Sequence, residues 1–335
     1  MMLARMRVAP PEGCTKGPMT LHNANRPAID ILAATVAATA ASWVHVGGGD
    51  KLEVDRAAVD AMRTSLMGAD FGGIVVIGEG EKDAAPMLYN GEMIGQGQAL
   101  EWDIAVDPVD GTALAAAGTA GAVAVMAAAE RGTMLESSEV YYMKKIISTS
   151  VGRGVLDIDA SVADNIKALA IALEKPVTDV RVAVINKARN FEVIAQVEEA
   201  GATWVRFDEG DIAMAVAAAT PDSGVDLLLG VGGSPEGVVT AVAVQVLGGF
   251  MQARFAPQTP DQIEKALLAE YDLERKFELN DLVSGENFVF VLTGITDGVL
   301  VRGVREFEEH LEIQSFILDS KLGEAFVAEM KVPRY

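Results

Sequence analysis

The apolar positions in the first part of the chain predict helices and strands separated by glycine and proline. Residues 30–43 are dominated by Ala, Leu, Val and Thr and are followed by three glycines, which predicts a helix and its end. Residues 57–67 predict a second helix. Two glycines precede the β-branched run 74–77, which is typical of a buried strand. Residues 104–106 predict another strand, which we expect to end at Asp107-Pro108 because proline cannot donate to a ladder.

From about residue 160 onward, helical and strand patterns alternate. Ser161 is a candidate N-cap for a helix that closes before Pro176. The further predicted helices cover residues 191–200, 212–219 and 238–247, and the predicted strands cover residues 180–185, 203–207, 225–229 and 288–292. Residues 258–278 are charged and predict an exposed helix, whereas residues 316–329 are too mixed for a prediction. The alternation of helix and strand indicates an α/β protein.

The charge of the chain excludes some classes of partner. The 335 residues include 27 Lys and Arg against 48 Asp and Glu, a formal charge of −21. Because this charge repels phosphate backbones and anionic lipids, we expect neither nucleic-acid nor membrane binding. The apolar stretch 113–129 consists mainly of Ala, Gly and Val and is shorter than a membrane span of roughly 20 residues.

Cysteine and histidine usage argues against a zinc or redox site. Cys14 is the one cysteine, and His22, His45 and His310 lie far apart without ligand-like spacing. These features favour a reducing, cytoplasmic compartment. Residues 1–25 are basic without a continuous apolar core, which favours a flexible tail over a secretory signal. Import into an organelle stays open, because a basic segment precedes an acidic body.

Acidic residues gather where the predicted elements of the first half end. They are Asp50 and Asp55, then Glu79 with two further acids up to residue 83, then Asp107 and Asp110. Neighbouring carboxylates raise each other's pKa and repel unless a cation lies between them. Oxygen ligands without His or Cys favour Mg²⁺ or Mn²⁺. For the segment 79–83 alone, a solvated loop is an equal alternative.

Two short motifs indicate phosphate chemistry. In Asp107-Pro108-Val109-Asp110-Gly111-Thr112, two acids three residues apart can face one ion while the threonine holds a water or a phosphate oxygen. An ordinary proline turn is the alternative. The segment 230–237 follows a strand and opens a helix, with Ser234 as cap and Pro235 at the first helical position, which suits a phosphate. There Glu236 either favours the helix dipole or binds a metal.

These motifs resemble the class II fructose-1,6-bisphosphatases, some of which also act on sedoheptulose-1,7-bisphosphate. The resemblance is carried by residues 76–81, 107–112 and 232–239, and it runs from about Ala33 to about Gly303. Inositol monophosphatase and related lithium-sensitive phosphatases share only the D-P-x-D-G-T turn and the general arrangement of acids. The resemblance implies a layered αβαβα sandwich, a homo-oligomer such as a dimer or tetramer, and hydrolysis of the 1-phosphate with Mg²⁺ or Mn²⁺ in gluconeogenesis or the Calvin cycle.

The resemblance also implies roles for individual residues. The residues matching metal ligands are Asp55, Glu79, Asp107, Asp110 and Glu236. The residues matching the catalytic centre are Asp55, Thr112 and Lys51. The residues matching substrate contacts are Asp110, Gly111, Thr112, Tyr142, Lys187, Ala188, Arg189, Glu209, Gly210, Asp211 and Gly233. Taken alone, Lys187 and Arg189 lie after a predicted strand, where their charge suits a phosphate or is simply solvated.

The chain departs from the family pattern in three places. Leu52-Glu53-Val54 replaces the usual N-T-A, Asp110 replaces the usual Glu, and Ala188 and Asn190 alter the usual K-P-R-H. Asp110 is the form found in inositol phosphatases, so an inositol monophosphatase or nucleotide phosphatase is one alternative. A sugar-phosphate-binding protein without turnover is another. The expected organisation is a tail (1–25), a metal-binding half (26–160) and a substrate-binding half (161–335).

Overall fold

The structure, a computed structural model, describes residues 24–80, 87–137 and 140–334. Its contacts divide the chain into two compact units. The first unit combines Met1–Met134 with Gly285–Tyr335, and the second comprises Leu135–Ser284. The predicted tail 1–25 lies almost entirely outside the described residues.

The helices begin and end largely where capping signals lie. They are α1 (Ala28–Trp43), α2 (Lys51–Leu66), α3 (Thr112–Ala117), α4 (Val162–Ala172), α5 (Phe191–Glu199), α6 (Asp211–Ala219), α7 (Ser234–Leu247), α8 (Pro260–Leu268) and α9 (Leu279–Leu282). The Asp50 side chain caps α2 by accepting from the backbone N–H of Leu52 and Glu53. The Ser161 side chain caps α4, as predicted. The prediction of Ser234 as cap is wrong, because Gly233 is the N-cap of α7 and Ser234 and Pro235 are its first two residues.

The strands belong to two sheets. They are β1 (Gly73–Ile77), β2 (Met93–Ile94), β3 (Trp102–Asp110), β4 (Val123–Glu130), β5 (Tyr142–Ser148), β6 (Arg181–Ile185), β7 (Thr203–Phe207), β8 (Leu227–Gly233), β9 (Phe250–Phe255), β10 (Phe277–Glu278), β11 (Phe288–Gly294), β12 (Arg305–Glu306), β13 (His310–Asp319) and β14 (Glu324–Pro333). Both sheets mix parallel and antiparallel pairs. The predicted α/β class is therefore confirmed.

The sheet of the first unit has the order β12-β13-β11-β4-β3-β1-β2. Outside this order, β14 pairs antiparallel with β13 along its whole length. Its central strands are fully covered, and α1 packs against β4 and β11. Ala124 and Ala128 of β4 are completely buried in this core, where small side chains let the helix lie close to the sheet. The result is a rigid support for the ends of β1 and β3.

The sheet of the second unit has the order β10-β9-β5-β8-β6-β7. Strands β6, β7 and β8 run parallel, and β5 pairs antiparallel with β8 and β9. Apolar residues such as Ile146, Leu169 and Val182 fill its core. The parallel strands bring their carboxyl ends to one edge, where α/β proteins bind ligands.

Strand β3 differs from its prediction. It continues through Pro108 to Asp110, so the expected strand end at Asp107 is wrong. The ladder with β4 shifts register between Asp107 and Asp110, which oppose Val125 and Val123. Pro108 is tolerated because it lies in this irregularity and owes the ladder no hydrogen bond.

The residue ranges of the two units also differ from the division that the sequence pattern indicated. The segment 285–335 returns to the first unit because β11 pairs with β4 and β13 pairs with β11. The segment 135–160 joins the second unit because β5 pairs with β8. The sequence pattern instead placed one boundary at residue 160; the functional roles of the two halves stay predictions.

Three other segments complete the comparison with the sequence. The mixed segment 316–329, for which no element was predicted, lies in the hairpin β13–β14. The exposed helix predicted within residues 258–278 is found as α8, and β10 follows it. The apolar stretch 113–129 is divided between α3 and β4. Within the described part of the chain, no helix has the length and apolarity needed to cross a membrane.

Candidate metal and phosphate site

The start of α2 is attached to α3 by the loop that precedes it. The backbone N–H of Gly47 donates to the Ala115 carbonyl at 3.0 Å, and that of Gly49 donates to the Ala116 carbonyl at 2.8 Å. Both glycines have positive φ, near +76° and +79°, which other residues rarely adopt. Lys51 and Asp55, on the first turns of α2, are thereby held beside the helix that begins at Thr112.

Glu79 follows β1 in a loop whose two ends are joined. Its backbone N–H donates to the Leu88 carbonyl at 2.9 Å, and the Gly78 N–H donates to Asn90 Oδ1 at 2.9 Å. A Cβ on Gly78 would lie only 1.9 Å from the Leu88 oxygen, so this crossing requires glycine. The further predicted loop acids up to residue 83 lie outside the described residues.

A buried ion pair connects this loop with α2. The Glu92 carboxylate accepts from the Leu88 backbone N–H and from Arg63 Nε, the latter at 2.7 Å. Arg63 belongs to α2, the helix that carries Asp55. The pair therefore anchors both the loop behind Glu79 and the helix of Asp55. Sequence reasoning missed Glu92, because its partners are distant in sequence.

Asp55 and Glu79 lie close enough to influence each other. Burial, and then the charge of Asp55, raises the pKa of Glu79 to about 7, while burial raises the pKa of Asp55. Among the described residues, no basic side chain offsets either shift. A cation between the two carboxylates would relieve both the repulsion and the loss of hydration.

The register irregularity of β3 places Asp107 and Asp110 on one turn. Asp107 Oδ1 accepts from the Val109 backbone N–H at 3.2 Å, and Asp110 is buried. Gly111 follows with φ near +89°, which reverses the chain into α3. Thr112 then donates its hydroxyl to the Val109 carbonyl at 3.0 Å. The predicted motif is thus one compact local unit.

The first unit offers carboxylates from three segments, of which Asp55 and Glu79 form an interacting pair. Within residues 24–80, 87–137 and 140–334, no three His, Cys, Asp or Glu side chains are grouped closely enough to hold a metal ion. The donor chemistry nevertheless suits a hard cation, since all these ligands are carboxylate oxygens and the pKa values of Asp55 and Glu79 are raised. The complete set of metal ligands stays a prediction.

In the second unit, Glu236 lies at the start of α7 and folds back over Gly233. A Cβ on Gly233 would lie 1.7 Å from Glu236 Oε2, so glycine leaves the space for this carboxylate. Oε2 is buried and has no hydrogen-bond partner among the described residues. Burial raises the pKa of Glu236, against an opposing effect of Lys145. An orphaned buried carboxylate oxygen is consistent with the predicted role as a metal ligand.

Lys145 of β5 is a buried cation that the sequence did not single out. Its ammonium forms an ion pair with Asp211, the first residue of α6, and donates to the Gly233 carbonyl at 3.2 Å. Asp211, predicted to contact substrate, is itself buried in this pair. The signal that would have found Lys145 is a lysine at an inward position of a strand, which requires β5 to be recognised first.

Most of the other predicted substrate residues lie at the carboxyl ends of the second unit's parallel strands. Lys187 follows β6 and lies 3.9 Å from Glu209, which follows β7. The Arg189 Nε donates to the Val231 carbonyl at 2.8 Å, and its guanidinium carbon lies 4.9 Å from the centre of the Tyr142 ring. Ala188 belongs to a short 3₁₀ turn with Arg189, and Gly210, with φ near +85°, precedes α6.

Asn190, at one of the altered family positions, clamps the backbone of β8. Its side chain accepts from the Val231 N–H at 2.7 Å and donates to the Val231 carbonyl at 2.9 Å. The amide is fully buried. Asn190 therefore holds Val231, to whose carbonyl Arg189 also donates.

Comparison with known proteins identifies the family of the chain. Residues 25–330 match the family described as bacterial fructose-1,6-bisphosphatase, glpX-encoded. A class 2 fructose-1,6-bisphosphatase of Haemophilus influenzae is 39% identical over 290 residues, covering 83% of this chain and 87% of that protein. Fructose-1,6-bisphosphatase 2 class 2 of Escherichia coli is 37% identical over 297 residues, covering 85% and 92%. The chain belongs to the glpX-type bacterial fructose-1,6-bisphosphatase family.

Proposed function

We propose that this protein is a phosphoric monoester hydrolase that converts fructose 1,6-bisphosphate to fructose 6-phosphate and phosphate. Family membership over most of the chain supports this activity. The observation that carries it is the pair Asp55 and Glu79, whose raised pKa values have no offsetting basic partner among the described residues. Such a pair is suited to a divalent cation rather than to a structural ion pair.

The family is metal-dependent, and we propose Mg²⁺ or Mn²⁺ as the cofactor. The residues that would hold it are Asp55, Glu79, Asp107, Asp110 and Glu236. When bound, the cation polarises the ester phosphate and lowers the pKa of a water molecule. The unpartnered Oε2 of Glu236 and the oxygen-only donor set support this assignment.

The turn before α3 suits the reacting phosphate. Gly111 has no side chain, so the backbone there can approach the phosphate closely. Thr112 presents its hydroxyl at the first position of α3. Because this hydroxyl donates its proton to the Val109 carbonyl, its oxygen keeps two lone pairs that can accept a proton from a water molecule. Thr112 and Asp55 thus orient and deprotonate the attacking water, and Lys51 contributes positive charge at the catalytic centre.

The second unit suits the sugar and the distal phosphate. Lys187 and Arg189 provide cations at the carboxyl ends of the parallel strands, against a chain of strong negative charge. Arg189 is pre-oriented by the Val231 carbonyl and the Tyr142 ring. Ala188, Glu209, Gly210, Asp211 and Gly233 complete the proposed contacts. A bisphosphate is thereby favoured over a monophosphate.

The alternatives are less well supported. The matching family and the similar curated proteins are fructose bisphosphatases, so an inositol monophosphatase, a nucleotide phosphatase or a non-catalytic binding protein is not favoured. Use of sedoheptulose 1,7-bisphosphate, assembly into a dimer or tetramer, and a cytoplasmic location stay proposals. Sedimentation of the purified protein would test the assembly.

Phosphate release from a panel of substrates tests the proposed activity. The metal-free protein is assayed with fructose 1,6-bisphosphate, sedoheptulose 1,7-bisphosphate, inositol 1-phosphate and 3′-phosphoadenosine, with and without Mg²⁺ or Mn²⁺. We expect metal-dependent release, fastest from fructose 1,6-bisphosphate. Preference for either monophosphate, or equal release after complete metal removal, would contradict the proposal.

A further inference from the structure

Lys145 is a lysine whose ammonium group is buried in the second unit. Its side chain is 1% exposed, and it projects from β5, which lies between β8 and β9 in the second sheet. Burying an unpaired ammonium is strongly unfavourable, so its partners must be essential to the local structure. The contacts of this buried charge therefore show which part of the fold it holds in place.

Lys145 connects the starts of two helices. Its Nζ forms the ion pair with Asp211 at the start of α6 and donates to the carbonyl of Gly233, the N-cap of α7. Glycine lines its path: a Cβ on Gly232 would lie 2.8 Å from Nζ, and one on Gly237 would lie 3.3 Å from Cδ. Any larger residue at Gly232 would therefore displace the lysine or its carboxylate partner.

Glu236 lies on the turn that this lysine holds. Its carboxylate is folded over Gly233, the residue whose carbonyl accepts from Lys145. The positive charge of Lys145 lowers the pKa of Glu236, whereas the negative charge of Asp211 raises it. Arg189 also acts on Glu236 with the same sign as Lys145, yet Oε2 of Glu236 has no hydrogen-bond partner among the described residues. A divalent cation on this oxygen would supply the missing partner.

We propose that Lys145 is a positioning residue that aims the Glu236 carboxylate at a divalent cation by holding the carbonyl of Gly233. The inference rests on the proposed function, because it takes Glu236 as a metal ligand. Groups that orient metal ligands typically change metal affinity by about 10- to 100-fold when removed. A purely structural lysine would instead affect stability and leave metal affinity unchanged.

Mn²⁺ binding to the metal-free protein, followed by electron paramagnetic resonance, distinguishes these roles. We expect Lys145→Met to weaken binding by about 10- to 100-fold. Lys144→Met is the matched control: Lys144 is adjacent on β5, is exposed, and donates to the Ile158 carbonyl at 2.9 Å. We expect the control to bind Mn²⁺ within about twofold of the wild type.

A double-mutant cycle tests whether Lys145 acts through Glu236. Glu236→Gln should weaken Mn²⁺ binding by itself, and adding Lys145→Met to it should change the affinity by less than about twofold. If Lys145→Met does not fold because Asp211 is left buried and unpaired, Lys145→Met with Asp211→Asn removes both charges. This double variant should still bind about 10-fold or more weakly than Asp211→Asn alone.

The outcomes separate this inference from the proposed function. Unchanged Mn²⁺ affinity in folded Lys145→Met, or additive effects of Lys145→Met and Glu236→Gln, would overturn the inference alone. If the wild type does not bind Mn²⁺, or if Glu236→Gln binds it equally well, the assignment of Glu236 fails and the inference fails with it.

Discussion

The negative charges of the acidic residues are compensated differently in the two units. In the first unit, burial raises the pKa of both Asp55 and Glu79, and the charge of Asp55 raises that of Glu79 further, without an offsetting cation among the described residues. In the second unit, Asp211 and Glu236 share the buried Lys145, with Arg189 nearby. The first arrangement is suited to bind a cation from solution, whereas in the second Lys145 already pairs with Asp211 and only Oε2 of Glu236 is without a hydrogen-bond partner among the described residues.

A structural acid in the first unit makes the contrast clearer. Asp103 is buried in β3 and accepts from the backbone N–H groups of Gly132, Thr133 and Met134 as well as from Arg131. Such saturation by donors is what a buried carboxylate needs when its role is to stabilise the fold. Among the described residues, the pair Asp55 and Glu79 lacks comparable compensation by cations, which supports the proposed functional role.

The largest expected effect is on turnover. Asp107→Asn removes a carboxylate charge proposed to bind the cation while preserving shape, so kcat should fall by roughly 1,000-fold or more. The circular dichroism spectrum should stay unchanged. The control is Asp60→Asn on α2, where Asp60 is exposed and paired with Arg56 at 3.2 Å. Substantial phosphate release by Asp107→Asn would contradict the role assigned to the first unit.

The second largest effect is a pH-dependent change in stability. Because the pKa of Glu79 is raised from 4.5 to about 7, the metal-free protein loses stability from this residue as pH rises through that range. Glu79→Gln should therefore be more stable than the wild type at pH 8, by on the order of 3 kcal/mol, and the difference should close near pH 4.5.

Urea unfolding of both metal-free proteins at pH 5 and pH 8 measures this difference. Adding Mg²⁺ or Mn²⁺ at pH 8 should stabilise the wild type more than the variant, because the cation compensates the carboxylate. Equal stability of the two proteins at pH 8 would mean that Glu79 has a compensating partner.

A third, smaller effect concerns the cations of the second unit. Arg189→Ala should raise KM for fructose 1,6-bisphosphate by roughly 10- to 100-fold, because hydrogen bonds to charged groups contribute about 1.5–3 kcal/mol. The effect should disappear with fructose 1-phosphate, which has no distal phosphate. Arg206→Ala is the control, since Arg206 is exposed and paired with Asp208. Equal effects on both substrates would contradict the role of Arg189.

The smallest effect distinguishes a structural acid from a functional one in the same region. Asp50 caps α2 through the Leu52 and Glu53 N–H groups, at 3.0 and 3.2 Å. Asp50→Ala should therefore destabilise the protein by about 1 kcal/mol at every pH at which Asp50 is ionised. The sign is opposite to that of Glu79→Gln at pH 8. Stabilisation by Asp50→Ala in urea unfolding would weaken the comparison.

The parts of the site that sequence could predict are those specified locally. Asp107, Gly111 and Thr112 belong to one turn whose proline and glycine restrict the backbone directly. The roles of Lys145 and Glu92 could not be predicted, because their ion-pair partners are distant in sequence. Asp211 lies 66 residues from Lys145, and Arg63 lies 29 residues from Glu92. The grouping of residues 285–335 with the first unit depends likewise on non-local strand pairing.

Proton release on Mn²⁺ binding tests the central claim most directly, because it reports a cation arriving at Glu79. Calorimetric titration of the metal-free protein in two buffers of different ionisation enthalpy gives the number of protons released. At pH 6, where Glu79 is mostly protonated, we predict release approaching one proton, falling toward zero at pH 8.5 and absent in Glu79→Gln. Equal release at both pH values, or from both proteins, would contradict the account.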